Sequence, residues 1–228
     1  KNLVSYKEGA SFLDGVFGGN GSNWEDQITQ GIGRSYGLEV FLQKKTGKTT
    51  GWVGYTLSYT DRQFDEINGG KRYPFKYDRR HDISIVLSHE FSKKWSASAV
   101  WVYGTGNSIT LPVSKHQPYV YTAGEPYNLE PFQQYWGVAE RASDKNAYRM
   151  GDYHRLDISV EYKKSRMILN DRVKWESTWA FGAYNTYSRA NPFFVNRDTV
   201  FTGGRTKEVF RQYSLFPIIP FVSYRFKF

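Results

Sequence analysis

Tyr153-His154-Arg155-Leu156-Asp157-Ile158-Ser159-Val160-Glu161-Tyr162-Lys163 alternates apolar and polar residues without exception from Leu156 to Lys163. A period of two is the mark of a strand whose faces meet different surroundings, because successive side chains point to opposite sides of a sheet. Leu156, Ile158, Val160 and Tyr162 are predicted on one face, and Asp157, Ser159, Glu161 and Lys163 on the other. The run has the length, about 9–11 residues, of a tilted strand that crosses a bilayer.

The same period recurs along the chain. Tyr36, Leu38, Val40 and Leu42 alternate with Gly37, Glu39 and Gln43; Val53, Tyr55, Leu57 and Tyr59 with Gly54, Thr56 and Ser58. Ile83, Ile85 and Leu87 oppose Asp82, Ser84 and Ser88, then come Trp95, Ala97, Ala99 and Trp101, and Val173, Trp175, Trp179 and Phe181 oppose Lys174, Glu176 and Thr178. Between these strands short and long connections take turns. The short ones are Thr46 to Thr50, Ser92 to Lys94 and roughly Met167 to Arg172; the long ones are roughly Lys7 to Arg34, Arg62 to Arg79, Gly104 to Asp152 and Ser188 to Tyr213. Strictly alternating short turns and long loops belong to barrels of the bacterial outer membrane.

Composition agrees with that reading. The 228 residues include 18 Tyr, 16 Phe and 7 Trp, yet mean hydropathy is −0.62. An outer-membrane barrel needs only one apolar residue in two, with aromatic girdles at its borders. No run approaches the roughly 18–20 consecutive apolar residues of a membrane helix. The formal charge of +9 would ordinarily suggest nucleic acid, but Lys and Arg are scattered singly, and the densest group, Lys71-Arg72 with Arg79-Arg80, falls in a loop. No nucleic-acid partner is expected; these cations suit a wet lumen or lipopolysaccharide phosphates. The absence of Cys removes disulfides, thiolate metal sites and Cys nucleophiles. Lys1 in place of Met, with no signal peptide, reads as a mature or cut product.

The expected fold is therefore all-β, a transmembrane antiparallel β-barrel of about eight strands forming one structural unit over residues 1–228, the first strand being the stub Asn2 to Tyr6. The last strand, about Ser214 to Phe228, carries Val222, Tyr224, Phe226 and Phe228 on its lipid face and Ser223, Arg225 and Lys227 inward. A terminal Phe after such alternation resembles the sequence that the barrel-assembly machinery handles.

With these segments in order, the chain resembles the C-terminal barrel portion of TonB-dependent outer-membrane receptors of Bacteroidetes type. The resemblance rests on Gly33-Arg34-Ser35-Tyr36-Gly37-Leu38-Glu39 with the turn Lys45-Thr46-Gly47-Lys48, on Trp52 to Ser58, on Tyr77-Asp78-Arg79-Arg80-His81-Asp82 and on Tyr153-His154-Arg155-Leu156-Asp157. Tyr184-Asn185-Thr186-Tyr187 with Asn191-Pro192, and Leu215-Phe216-Pro217-Ile218-Ile219-Pro220, complete it. The family implies about 22 strands closed around a plug, so this chain would supply eight C-terminal strands, without the plug. Its implied function is the import of a scarce nutrient, whether siderophore, glycan, cobalamin or peptide. The implied partners are the remainder of the barrel and plug in the same protein or a separate chain, the TonB complex through that plug, outer-membrane lipid and lipopolysaccharide, and a surface lipoprotein. The competing expectation is a free-standing small barrel acting as porin, adhesin or rim-active enzyme.

Candidate site residues come from topology. The long segment Gly104 to Asp152, with Trp24 in the first long loop, offers Tyr119, Tyr121, Tyr127, Tyr135 and Trp136 as ring faces for an extracellular ligand, and Gln117, Gln133, Gln134 and Glu140 as hydrogen-bonding groups. No enzyme, cofactor or metal is expected. His81-Asp82 and His154 with Asp157 are His/carboxylate pairs close in sequence. Arg79-Arg80-His81-Asp82 reads as a wall network of paired charges. Asp61, Asp65, Asn68 and Gly69-Gly70 are oxygen-rich but lack EF-hand spacing.

Overall fold

A computed structural model describes residues 2–7, 24–116, 139–168 and 172–227. Eight antiparallel strands follow one another in chain order: β1 (Leu3–Tyr6), β2 (Ile28–Lys44), β3 (Thr49–Phe64), β4 (His81–Glu90), β5 (Trp95–Gly104), β6 (Tyr153–Ile168), β7 (Arg172–Tyr184) and β8 (Ile219–Lys227). Each strand pairs with its sequence neighbours, and the pair Tyr73–Pro74 adds a short rung to β3. β1 and β8 stand at the two ends of the path, with no pairing between them among the described residues.

Register converts the sequence alternation into two coherent faces. Val160 aligns with Ala97, Phe181 and Val222; Ile158 with Ala99 and Ala183; Leu156 with Trp101 and, through β5, Ile85 and Val53. Directly opposed residues share a face, so this face is mainly apolar, short in the middle and ringed at both ends; His89 and Thr49, hydrogen-bonded to each other at 2.7 Å, interrupt it in the row of Ala97. Towards the short turns Trp95 meets Tyr162 at 4.8 Å between ring centres, and Trp179 meets Tyr224 at 4.6 Å. Towards the long loops Tyr36 stacks on Tyr59 at 5.2 Å and Trp101 on Tyr103 at 6.2 Å.

The opposite face holds Ser159 against Ser98, their hydroxyls 2.7 Å apart, the ion pair Lys163–Glu176 at 2.8 Å and the pair Arg155–Asp157 at 2.8 Å. It is not uniformly polar. Trp52, Val86 and Val100 lie in one row, and Phe41, Gly54, Ser84 and Val102 in the next. Gly54 is the floor under this patch. A Cβ there would meet the Trp52 ring at 3.4 Å, and the Phe41 and Trp52 rings are 5.7 Å apart. Gly182 does the same for Phe221, whose ring would lie 2.6 Å from an added Cβ.

Two boundaries differ from the sequence reading. β2 begins at Ile28, six residues before Arg34, because Gly31 pairs with Phe64 and leaves room for its ring, so glycines that look like loop are ladder. β8 begins at Ile219, after Pro217, which has no N–H to offer. Within the last long connection a separate hairpin pairs Phe194–Thr202 with Arg205–Tyr213 through Gly203-Gly204, both at positive φ as a two-residue I′ turn requires. The compact apolar core is small: Phe64, Ile67 and Tyr73, with Leu3 against them, where the 65–80 loop folds back on β1 and β3.

Candidate functional site

The candidate site is assembled where the long loops leave the sheet. Asp78, 1% exposed, is the organising charge. Its carboxylate accepts from Arg149 Nη2 at 2.5 Å, Arg80 Nη2 at 3.2 Å and the Thr60 amide at 2.8 Å. Arg149 also donates to the carbonyls of Asp78 and Gly106 at 2.5 and 2.8 Å. One arginine thereby ties the 105–152 connection to the 65–80 loop. A carboxylate taken out of water requires such a set of charged and hydrogen-bonding partners.

A second clasp holds the same two loops further out. The Asn68 side chain donates to the Lys145 carbonyl at 3.2 Å and accepts from its amide at 2.7 Å, and Asn146 donates to the Pro74 carbonyl at 2.9 Å. Asn68 and Asn146 both adopt positive φ, a conformation that Asn tolerates better than most residues. Arg79-Arg80-His81-Asp82 forms a paired network: Arg79 bonds Asp82 at 3.3 Å and Asn107 at 3.4 Å, Arg80 lies 3.6 Å over the Tyr59 ring, and His81 meets the Tyr55 hydroxyl at 2.9 Å. Asp61 is held by Arg72 at 2.7 Å and Arg34 at 3.6 Å. Among the described residues no three carboxylate or imidazole groups converge on a metal position.

On the polar face, a crevice of about 260 Å³ opens between the ends of β6, β7 and β8, walled by Tyr153, Tyr184, Phe193, Phe216 and Pro217. Arg155 forms its charged side, already neutralised by Asp157 and bonded to the Tyr153 hydroxyl at 3.3 Å. A neighbouring pocket shares Tyr153, Pro192 and Phe193 and reaches Arg79 and Asn107. Asn185, 2% exposed, fixes this region by accepting from the Arg189 amide at 3.0 Å and donating to the Arg189 and Phe216 carbonyls at 2.9 Å. Walls of rings with one balanced ion pair suit a flat, weakly charged ligand.

On the apolar face, Trp101, Tyr103, His154 and Tyr187 line a shallow bowl of about 480 Å³. Burial pushes the Tyr187 phenol above its ordinary pKa, so it stays neutral and meets His154 Nδ1 at 2.7 Å.

The sequence-derived candidates divide sharply. Trp24 opens the 3-10 turn Trp24–Gln27 that leads into β2. Tyr119, Tyr121, Tyr127, Tyr135 and Trp136, with Gln117, Gln133 and Gln134, lie outside the described residues, as does Phe228. Val222, Tyr224 and Phe226 are exposed on the apolar face. The crevice was passed over because its walls come from three segments remote in sequence. Phe193, Phe216 and Pro217 look like loop residues until β7 and β8 pair. No protein-family model matches this chain, and neither a curated protein nor a solved structure matches it.

Proposed function

We propose that this chain is the C-terminal part of the transmembrane barrel of a TonB-dependent outer-membrane transporter, with the apolar face in lipid and the polar face towards the lumen. The observation that carries the reading is the two-faced register. The nine residues from Trp95 to Tyr103, and again from His154 to Tyr162, run from one ring band to the other, within the roughly 9–11 residues of a spanning strand.

Two further features favour a large plugged barrel over a small free-standing one. Among the described residues β1 and β8 end the path unjoined, and unpaired edges are not tolerated in hydrocarbon, so on this reading further strands close the barrel. The patch of Phe41, Trp52, Val86, Val100 and Val102 on the lumen face is costly beside open water but natural beneath a packed body such as a plug. The ring-walled crevice, at the loop end of that same face, lies on the path of an incoming ligand.

The test is made on the full-length protein. It is expected to fractionate with outer membranes and to migrate as a heat-modifiable barrel of more strands than this chain contains. Deleting residues 119–136 should abolish ligand uptake with folding and insertion intact. Recovery of the protein only in soluble fractions, or a closed barrel made by residues 1–228 alone, would refute the reading.

A further inference from the structure

The crevice at the loop end of the polar face is built half from the sheet and half from the hairpin. Tyr153 and Tyr184 stand at the ends of β6 and β7, whereas Phe193 immediately precedes the hairpin Phe194–Tyr213 and Phe216 follows shortly after it. The hairpin root is closed by the Phe193 amide, which donates to the Tyr213 carbonyl at 2.8 Å, and by Phe194 stacked on Tyr213 at 4.6 Å. Two asparagines fix the walls. Buried Asn185, just past β7, donates to the Phe216 carbonyl at 2.9 Å, and Asn191 exchanges two 2.9 Å hydrogen bonds with the His154 backbone. The Tyr184 ring is braced on Phe221 at 5.1 Å. Phe193 and Phe216 nevertheless remain 61% and 67% exposed, and exposed rings gathered around a hollow mark a binding surface.

The groups left over define the occupant. The acceptors are engaged: Asp157 takes the Asn185 amide on Oδ1 and Arg155 on Oδ2, and both side-chain ends of Asn185 and Asn191 are used. What remains are donors. The Tyr153 hydroxyl accepts from Arg155 at 3.3 Å and keeps its own hydrogen, and among the described residues the Tyr184 hydroxyl makes no hydrogen bond. A sugar, whose rim of hydroxyls needs acceptors as well as donors, is poorly served here. An anion would compete with Asp157, only 14% exposed, for the one guanidinium. The volume of about 260 Å³ falls just below the roughly 300–1,000 Å³ of whole-ligand pockets, which fits one flat ring system and not an entire ligand.

Resting on the transporter reading above, we propose that the crevice is a subsite for one neutral, planar aromatic group of the ligand, with an acceptor oxygen at its edge, held between Tyr153 and Tyr184 on the sheet and Phe193 and Phe216 at the hairpin root. An occupant touching both sides joins the hairpin to the strands.

The experiment titrates full-length protein in lipid nanodiscs, with empty nanodiscs as blank, using three probes by ligand-observed NMR: 2-naphthamide, the anion 2-naphthoate and the fully saturated analogue of the amide. 2-Naphthamide is expected to bind about tenfold more tightly than either of the others. Phe216→Ala should weaken it about tenfold, and Tyr184→Phe, which keeps the ring, about fivefold, with heat-modifiable migration unchanged in both. Saturation should slow backbone hydrogen exchange at Phe193, Phe194 and Tyr213. Equal affinity for the three probes, or unchanged affinity in both variants, overturns the subsite. The absence of saturable binding to wild type does so too, and gives the crevice to another segment of the full-length protein. Unchanged exchange at the hairpin root overturns the bridging. In each case outer-membrane fractionation of the same protein leaves the transporter reading standing; probe binding by a protein found only in soluble fractions would keep the ring site and overturn that reading instead.

Discussion

Val160 and Ser159 are neighbours in the chain and opposites in surroundings. Val160 stands in a row with Ala97, Phe181 and Val222, while the Ser159 hydroxyl faces that of Ser98 on the other side of the sheet. If the apolar face lies in lipid, Val160→Arg near the midplane should cost about 2–4 kcal/mol. Ser159→Arg should cost far less. Urea unfolding of the two full-length variants from vesicles measures the difference, and equal costs would contradict the assignment of faces. The glycines act at the same scale. A Cβ at Gly182 would meet the Ile158 carbonyl oxygen at 2.5 Å and the Phe221 ring at 2.6 Å, so backbone and ring both oppose a side chain there, whereas at Gly54 it would make ordinary contact with the Trp52 ring at 3.4 Å.

Among the elements, the loops depend on few side chains, and Asp78 is the one whose loss should be felt most widely. Asp78→Ala leaves the Thr60 amide without its acceptor and takes the carboxylate from Arg80 and Arg149, which keep the Tyr59 ring and the carbonyls of residues 78 and 106. Both arginines are about one-third exposed, so water takes up part of their charge, and the local cost should stay within about 3 kcal/mol. Hydrogen exchange should quicken at Thr60 and along residues 143–150 with insertion unchanged; unaltered protection there would show that the clasp contributes nothing.

The long strands and their order were legible because the apolar face keeps its period of two from β2 to β7 even where the other face carries Trp52, Val100 and Val102. The fold-back of the 65–80 loop was not, since its core of Phe64, Ile67 and Tyr73 depends on β1, far away in sequence. The hairpin at Phe194–Tyr213 did leave a signal: Gly203-Gly204 between two nine-residue runs that carry Val, Thr, Phe and Tyr. Phe41 and Trp52 were hidden for the opposite reason, being apolar residues on the side that alternation assigns to polar ones. At the candidate site, the wall network of Arg79 and Asp82 was legible from adjacency, whereas the Arg149–Asp78 bond joins residues that no local pattern connects.

For the molecule as a whole, the accessible surface is 17,760 Å², against about 10,700 Å² for a compact soluble monomer of this length. An extended sheet with apolar side chains uncovered on one face is poorly stabilised in water by its own contacts, because its core is only a few residues. On the proposed reading, lipid meets that face and further strands meet both edges. The chain contains no cysteine, so single cysteines introduced from Leu156 to Lys163 in the full-length protein, with any cysteine outside this chain replaced by serine, can each carry a nitroxide at one position. The most direct test of the central claim is the accessibility of those nitroxides to oxygen and to a water-soluble nickel chelate in vesicles. The account predicts a period of two, with oxygen dominant at positions 156, 158, 160 and 162 and lower accessibility to oxygen at 157, 159, 161 and 163; equal access of the nickel chelate to both sets would contradict it.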